Sequence, residues 1–239
     1  MMYPYGRFLL DFDLEHAAMT HRNRPGNTRC ALIIETRPLF FLPMVVRNVM
    51  HFLGPRWNLR VLGSPRSLRY LEESLPGWDL SPAEVTPRPR LAIADYNRLL
   101  LSPRLWEALP EDKVLVFQSD SLLTGPNIED FEEYDYIGAP CGTFDENYIA
   151  NGGLSLRTRE TMLECLRRHT PEATEPEDVF FTRAARRGGV RMPDFKTATL
   201  FSVESVYTGH PVGVHGTDKF FHPVEVAELI TRAIPRRPG

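Results

Sequence analysis

Two unbroken apolar runs, "CALII" at residues 30–34 and "VLVF" at residues 114–117, set the tightest limit on what this chain can become. Each has the length of a strand, is rich in β-branched, aliphatic or aromatic residues and has polar neighbours, so both read as strands of a sheet interior. Helical patterns separate them. Residues 39–54, "LFFLPMVVRNVMHFLG", keep helical spacing up to Gly54, a C-terminal stop, and residues 57–63, "WNLRVLG", alternate as a strand. Residues 64–75, "SPRSLRYLEESL", open with Ser64 as N-cap and Pro65 at the first helical position. Strand, helix, strand, helix in this order predicts a parallel sheet with helices packed over it.

The remaining pattern extends that layout. Residues 94–109 give two short helical pieces, the second capped by Ser102. After the strand at Lys113, "EYDYIGAP" reads as a strand ending at Gly138 and Pro140, and "NGGLSLR" (residues 151–157) as a glycine turn running into a short strand. Residues 158–169 and 176–189 form amphipathic helices, and a last helix lies within residues 222–233. With 239 residues, 42% of them hydrophobic, the chain can bury the core of one large α/β domain. We place it at residues 29–239, preceded by an N-terminal arm at residues 1–28.

Charge excludes some functions. The 28 basic and 31 acidic residues leave a net charge of −3, so no global field favours nucleic acid or anionic lipid, and any phosphate must be held locally. Three well-separated cysteines fit neither a zinc site nor a disulfide scaffold, and no stretch approaches the roughly 20 apolar residues of a membrane-spanning helix. A soluble, cytoplasmic protein is the expectation.

The residues that could carry chemistry each have a plain structural alternative. Asp120, in "QSDS" at the end of the second run, falls where α/β sheets bind ligands; it could hold a divalent cation or merely cap a turn. Gly152 and Gly153 permit positive φ and a close backbone approach, or form an ordinary tight turn. Glu177 and Asp178 open a helix, where the dipole favours carboxylates, but one of them could serve as a general base. His215, between two glycines, could reach a metal or phosphate, or simply pack. The acidic run at residues 127–135 and the basic run at residues 183–191 read as solvated faces.

Taken in order, "ALIIETRP", "YNRLLLSPRLWEAL", "VLVFQSDSLL", "YDYIGAP", "NGGLSLRTRETM", "EDVFF" and "FSVESV" with "GHPVGVHG" resemble a family usually described only as a domain of unknown function. That family is similar to the GT-A glycosyltransferases, and the resemblance spans residues 30–221. It implies a GT-A fold: an α/β domain with a Rossmann-like, mostly parallel central sheet flanked by helices. By the same resemblance the first strand end, Glu35, Thr36 and Arg37, holds the nucleotide. The D-x-D motif is degenerate here, with Ser119, Asp120 and Ser121 behind Gln118 so that only Asp120 matches an acidic position; Gln118, Ser119 and Asp120 are the implied donor-binding residues, Asp120 is the implied metal ligand, and Asn151, Gly152 and Gly153 face the donor.

His215 resembles the late histidine that serves several GT-A enzymes as a further metal ligand, and "EDV" resembles the motif that supplies the base in inverting members, here Asp178 or, failing that, Glu177. The implied activity is transfer of a sugar from a nucleotide-diphosphate donor to an acceptor hydroxyl on a glycan, glycolipid precursor or natural product, inverting and assisted by Mn²⁺ (or Mg²⁺). Mn²⁺ accepts imidazole more readily than Mg²⁺ does. The alternative is a nucleotide-sugar or glycan-binding module that keeps the fold without turnover, since the first acid of the motif is absent. Acceptor selection falls to variable loops: residues 86–90, residues 141–150 and the tail.

Overall fold

The two apolar runs become neighbouring strands. β1 (Arg29–Glu35) and β4 (Lys113–Phe117) lie in parallel, with Arg29 opposite Lys113 and Ile33 opposite Phe117. On the other side of β1, β2 (Asn58–Gly63) pairs in parallel, followed in parallel by the short β3 (Pro82–Glu84). β7 (Ile149–Thr158) runs antiparallel to β4, and β6 (Tyr136–Cys141) antiparallel to β7. The order is β3-β2-β1-β4-β7-β6, so the sheet is mostly parallel, with β7 reversed. The computed structural model describes residues 5–142 and 146–233; Thr143, Phe144 and Asp145 of the 141–150 loop, and the tail beyond residue 233, lie outside the described residues.

Alternation along the strands assigns side chains to two cores. Ala31, Ile33, Leu115 and Phe117 face one layer, built from α1 (Gly6–Glu15), α2 (Leu42–Leu53), α3 (Pro65–Ser74) and α9 (Pro223–Ala233). Cys30, Leu32, Ile34, Val114 and Val116 face the other, built from α4 (Ile93–Leu100), α5 (Pro103–Glu107), α6 (Arg159–Arg168), α7 (Glu177–Gly188) and part of α8 (Phe195–Phe201). All nine side chains are buried, and a residue such as Phe117 contributes about 1.5–3 kcal/mol by leaving water. Burial on both faces explains why these runs are continuous rather than alternating.

Local signals set several helix ends. Ser64 accepts a hydrogen bond from Ser67 N and completes a capping box at α3, and Gly54 stops α2 at φ +69°. The first 28 residues begin with α1, whose Leu9 and Phe12 are buried, and the Tyr5 hydroxyl just before it lies 2.8 Å from Thr217 Oγ1.

Two expectations need correction. The "NGG" segment is no turn: it lies inside the ten-residue strand β7, and neither glycine has positive φ. β6 likewise continues past Gly138 to Cys141, with an irregular register between Gly138 and Pro140. The acidic and basic runs are partly spent on ion pairs: Glu132 binds Arg29, Glu129 binds Arg56, Arg183 binds Glu175 and Arg191 binds Asp135.

A second, smaller sheet positions the site. β5 (Ser121–Leu123) pairs antiparallel with β9 (Gly213–His215), which pairs in parallel with β8 (Ser202–Val203). Ser121 stands opposite His215, so the ladder brings the late histidine beside Asp120. Among the described residues, no helix is long and apolar enough to cross a membrane.

Candidate functional site

A cavity of about 790 Å³ opens at the carboxyl ends of β1 and β4, the crevice where an open α/β sheet presents its backbone groups. Every site residue expected from the sequence lines it: Glu35, Thr36 and Arg37 from β1; Gln118, Ser119 and Asp120 after β4; Asn151, Gly152 and Gly153 in β7; Glu177 and Asp178 at the start of α7; and His215 at the end of β9. Lys219 and Tyr96 also line it; Tyr96 opens the "YNRLLL" segment, to which no site role had been given, and Lys219 lay outside the candidate residues.

At the β1 end, Glu35 and Arg37 form a bidentate pair, with Arg37 Nε 2.9 Å from Glu35 Oε1 and Nη2 2.7 Å from Oε2. Thr36 is largely committed to the scaffold, its Oγ1 accepting from Leu91 N and its carbonyl from Ser64 Oγ. The turn after β4 is closed by Ser121, whose hydroxyl accepts from Gln118 N and donates to the Gly153 carbonyl. Ser121 is therefore a structural member of the "QSDS" segment.

Asp120 and His215 meet here. His215 Nε2 is 3.3 Å from Asp120 Oδ1 and 3.2 Å from Gln118 Oε1, and Lys219 Nζ donates to Asp120 Oδ2 at 3.0 Å. Burial would raise the Asp120 carboxyl, but His215 and Lys219 outweigh it and hold the group well below the usual carboxylate range. Burial would lower His215; Asp120 and Glu204 outweigh that and push it up to about 9. Gln118 presents its uncharged amide oxygen to the same ring nitrogen as the Asp120 carboxylate.

The two glycines of β7 are explained by close approach. A Cβ on Gly152 would overlap the Glu177 carboxylate, and one on Gly153 would overlap the His215 ring. The Glu177 and His215 side chains occupy that space.

The acids at α7 divide sharply. Glu177 is buried and holds Arg157 by two hydrogen bonds, Nη1 to Oε2 at 2.7 Å and Nη2 to Oε1 at 2.9 Å. Arg157 is 0% exposed and lies against the rings of Tyr136, Phe181 and Trp106. Both Glu177 carboxylate oxygens are thereby engaged by Arg157. Asp178 is half-buried on the cavity wall; its Oδ1 accepts from Val179 N at 2.8 Å and its Oδ2 from Gly152 N at 3.4 Å. Further lone pairs of this carboxylate stay available to a ligand hydroxyl.

Among the described residues, no three His, Cys, Asp or Glu side chains gather as a metal cluster. Gln118 Oε1 and Asp120 Oδ1 both lie within hydrogen-bond distance of His215 Nε2, and these three atoms are the ones that could hold a divalent cation in place of the proton between them. Behind it His215 Nδ1 is buried without a hydrogen-bond partner. Two oxygens and an imidazole make a donor set that Mn²⁺ would accept.

A sequence model of the family described as "protein of unknown function (DUF5672)" matches residues 85–215, more than half of the 239-residue chain. No curated protein matches the chain. Among solved structures it is similar to residues 1–349 of S. aureus TarS at 14% identity and a TM-score of 0.44, over 66% of this chain and 55% of that one. For TarS in complex with UDP-GlcNAc the identity is 11% and the TM-score 0.45, over 65% and 53%. For the glycosyltransferase GlyE of Streptococcus pneumoniae TIGR4 they are 18% and 0.40, over 66% and 43%. The chain thus spans about half the length of the TarS structures it matches.

Proposed function

The chain belongs to the DUF5672 family, and we propose that it is a glycosyltransferase that moves a sugar from a nucleotide-diphosphate donor to an acceptor hydroxyl, with inversion and with help from a divalent cation. The observation that carries this reading is the convergence of Gln118, Asp120 and His215 in the same cavity as Asp178.

Gln118, Asp120 and His215 would hold Mn²⁺ (or Mg²⁺), which when bound supplies positive charge to a departing diphosphate. Lys219, held at the rim by Asp120, adds a fixed ammonium to the same task. The Glu35–Arg37 pair offers charged edges to the nucleotide at the β1 end. Asp178 takes the proton of the acceptor hydroxyl as that oxygen forms its bond to the anomeric carbon and the bond to the diphosphate oxygen breaks. Glu177 and Arg157 steady the start of α7 beneath it.

A thermal-shift screen of nucleotide sugars with and without Mn²⁺ tests the reading, because a ligand that binds the native state raises its melting temperature. A donor that stabilises the wild type but not Asp120→Ala is expected; a panel without any stabiliser would sink the proposal. The uncharged Gln118 amide beside His215 favours a second reading, donor binding without turnover. Release of nucleoside diphosphate from the stabilising donor decides between the two.

A further inference from the structure

Glu204 follows β8 and stands behind the cavity wall, 7% exposed. Its Oε1 accepts from Asn151 Nδ2 at 2.9 Å and lies 3.6 Å from His215 Nδ1, while its Oε2 is buried without a hydrogen-bond partner. His215 Nδ1 is equally unpartnered, and the opposite ring nitrogen faces Gln118 and Asp120. Asn151 is fixed in turn, its Oδ1 accepting from Gly153 N at 2.8 Å. A carboxylate kept so far from water is costly unless a partner uses it.

We infer that Glu204 is a positioning residue for the cation site of Gln118, Asp120 and His215: when a cation takes the Nε2 lone pair in place of the proton there, the carboxylate 3.6 Å from Nδ1 is the acceptor for the remaining ring proton and fixes the ring. This rests on the metal-assisted reading above. A histidine that binds a metal through one ring nitrogen commonly gives the other N–H to a carboxylate, which fixes both tautomer and ring orientation. The "NGG" segment then has a defined task. Asn151 holds the carboxylate, and Gly153 leaves room for the ring against the strand.

The test is a calorimetric titration of the full chain with Mn²⁺ alone. The wild type should bind, His215→Ala should not, and Glu204→Gln should bind about 10–100-fold more weakly, with partial recovery in Glu204→Asp. Equal affinity of Glu204→Gln and wild type would overturn the inference and leave the metal reading standing. No Mn²⁺ binding by the wild type would overturn the inference together with the metal reading. A readout without any variant guards against a folding defect: imidazole nitrogen NMR of the wild type with diamagnetic Zn²⁺ should find the His215 proton on Nδ1, and a proton on Nε2 would overturn the inference.

Discussion

Glu177 and Arg157 form a closed pair in the interior, carboxylate to guanidinium at 2.7 and 2.9 Å, directly under Gly152. Burial pushes the Glu177 carboxyl up, and the guanidinium it grips counters that. The pair joins β7 to the first turn of α7, so acids adjacent in sequence meet different partners: Glu177 holds Arg157, and Asp178 accepts from Val179 N and Gly152 N.

Removing one member of a buried pair strands the other. Arg157→Met should therefore cost about 3–5 kcal/mol in denaturant unfolding, and Arg157→Met with Glu177→Leu should recover most of it. A single variant as stable as wild type would contradict the pairing.

Asp178→Asn keeps size and shape but cannot accept a proton. Turnover in the proposed reaction should fall about 10²–10⁴-fold while donor affinity, read by thermal shift, stays unchanged. Full turnover would return Asp178 to its place as a helix-start acid.

The β7 glycines should resist even a methyl group. Gly153→Ala forces the His215 ring, and Gly152→Ala the Glu177 carboxylate, out of place, each costing about 1–3 kcal/mol by overpacking. Gly125, whose Cβ would meet nothing within 4 Å, is the control, and its Ala variant should change stability by no more than about 0.5 kcal/mol. Equal melting temperatures for all three would refute the close approach.

Acid should weaken the fold through two histidines. Burial lowers His21, and partial burial together with the neighbouring His16 lowers the more exposed His51. Because these groups take up protons more readily unfolded, their contribution is complete above the ordinary value of about 6.5 and is lost as pH falls through the folded values. Melting temperature should drop between about pH 7 and 5, and His51→Leu, which removes one of the two groups, should flatten that slope. An unchanged slope would exclude His51 as a contributor.

The parallel order of the early strands, the two-sided burial of β1 and β4 and the cap at Ser64 were all legible, because they follow from local periodicity and turn chemistry. The "NGG" strand was not. Two glycines in a row look like a turn, and only the neighbours that crowd them, Glu177 and His215, reveal why a central strand needs them. Lys219 and Glu204, the latter within the quoted "FSVESV", were given no role, since a lysine or a glutamate in a tail is ordinary until something lies beside it.

What the chain determined by itself was the sheet and the set of residues near its carboxyl edge, properties of pattern and strand ends. Tertiary structure alone decided the roles within that set. The β5–β9 ladder brought residues 120 and 215 together, the interior paired Glu177 with Arg157, and the Gln118 amide oxygen came to lie 3.2 Å from His215 Nε2. The physical reason is distance: a carboxylate is a base, a ligand or an anchor according to the charge and hydrogen bonds within about 4 Å of it, and those partners come from segments far away in the sequence.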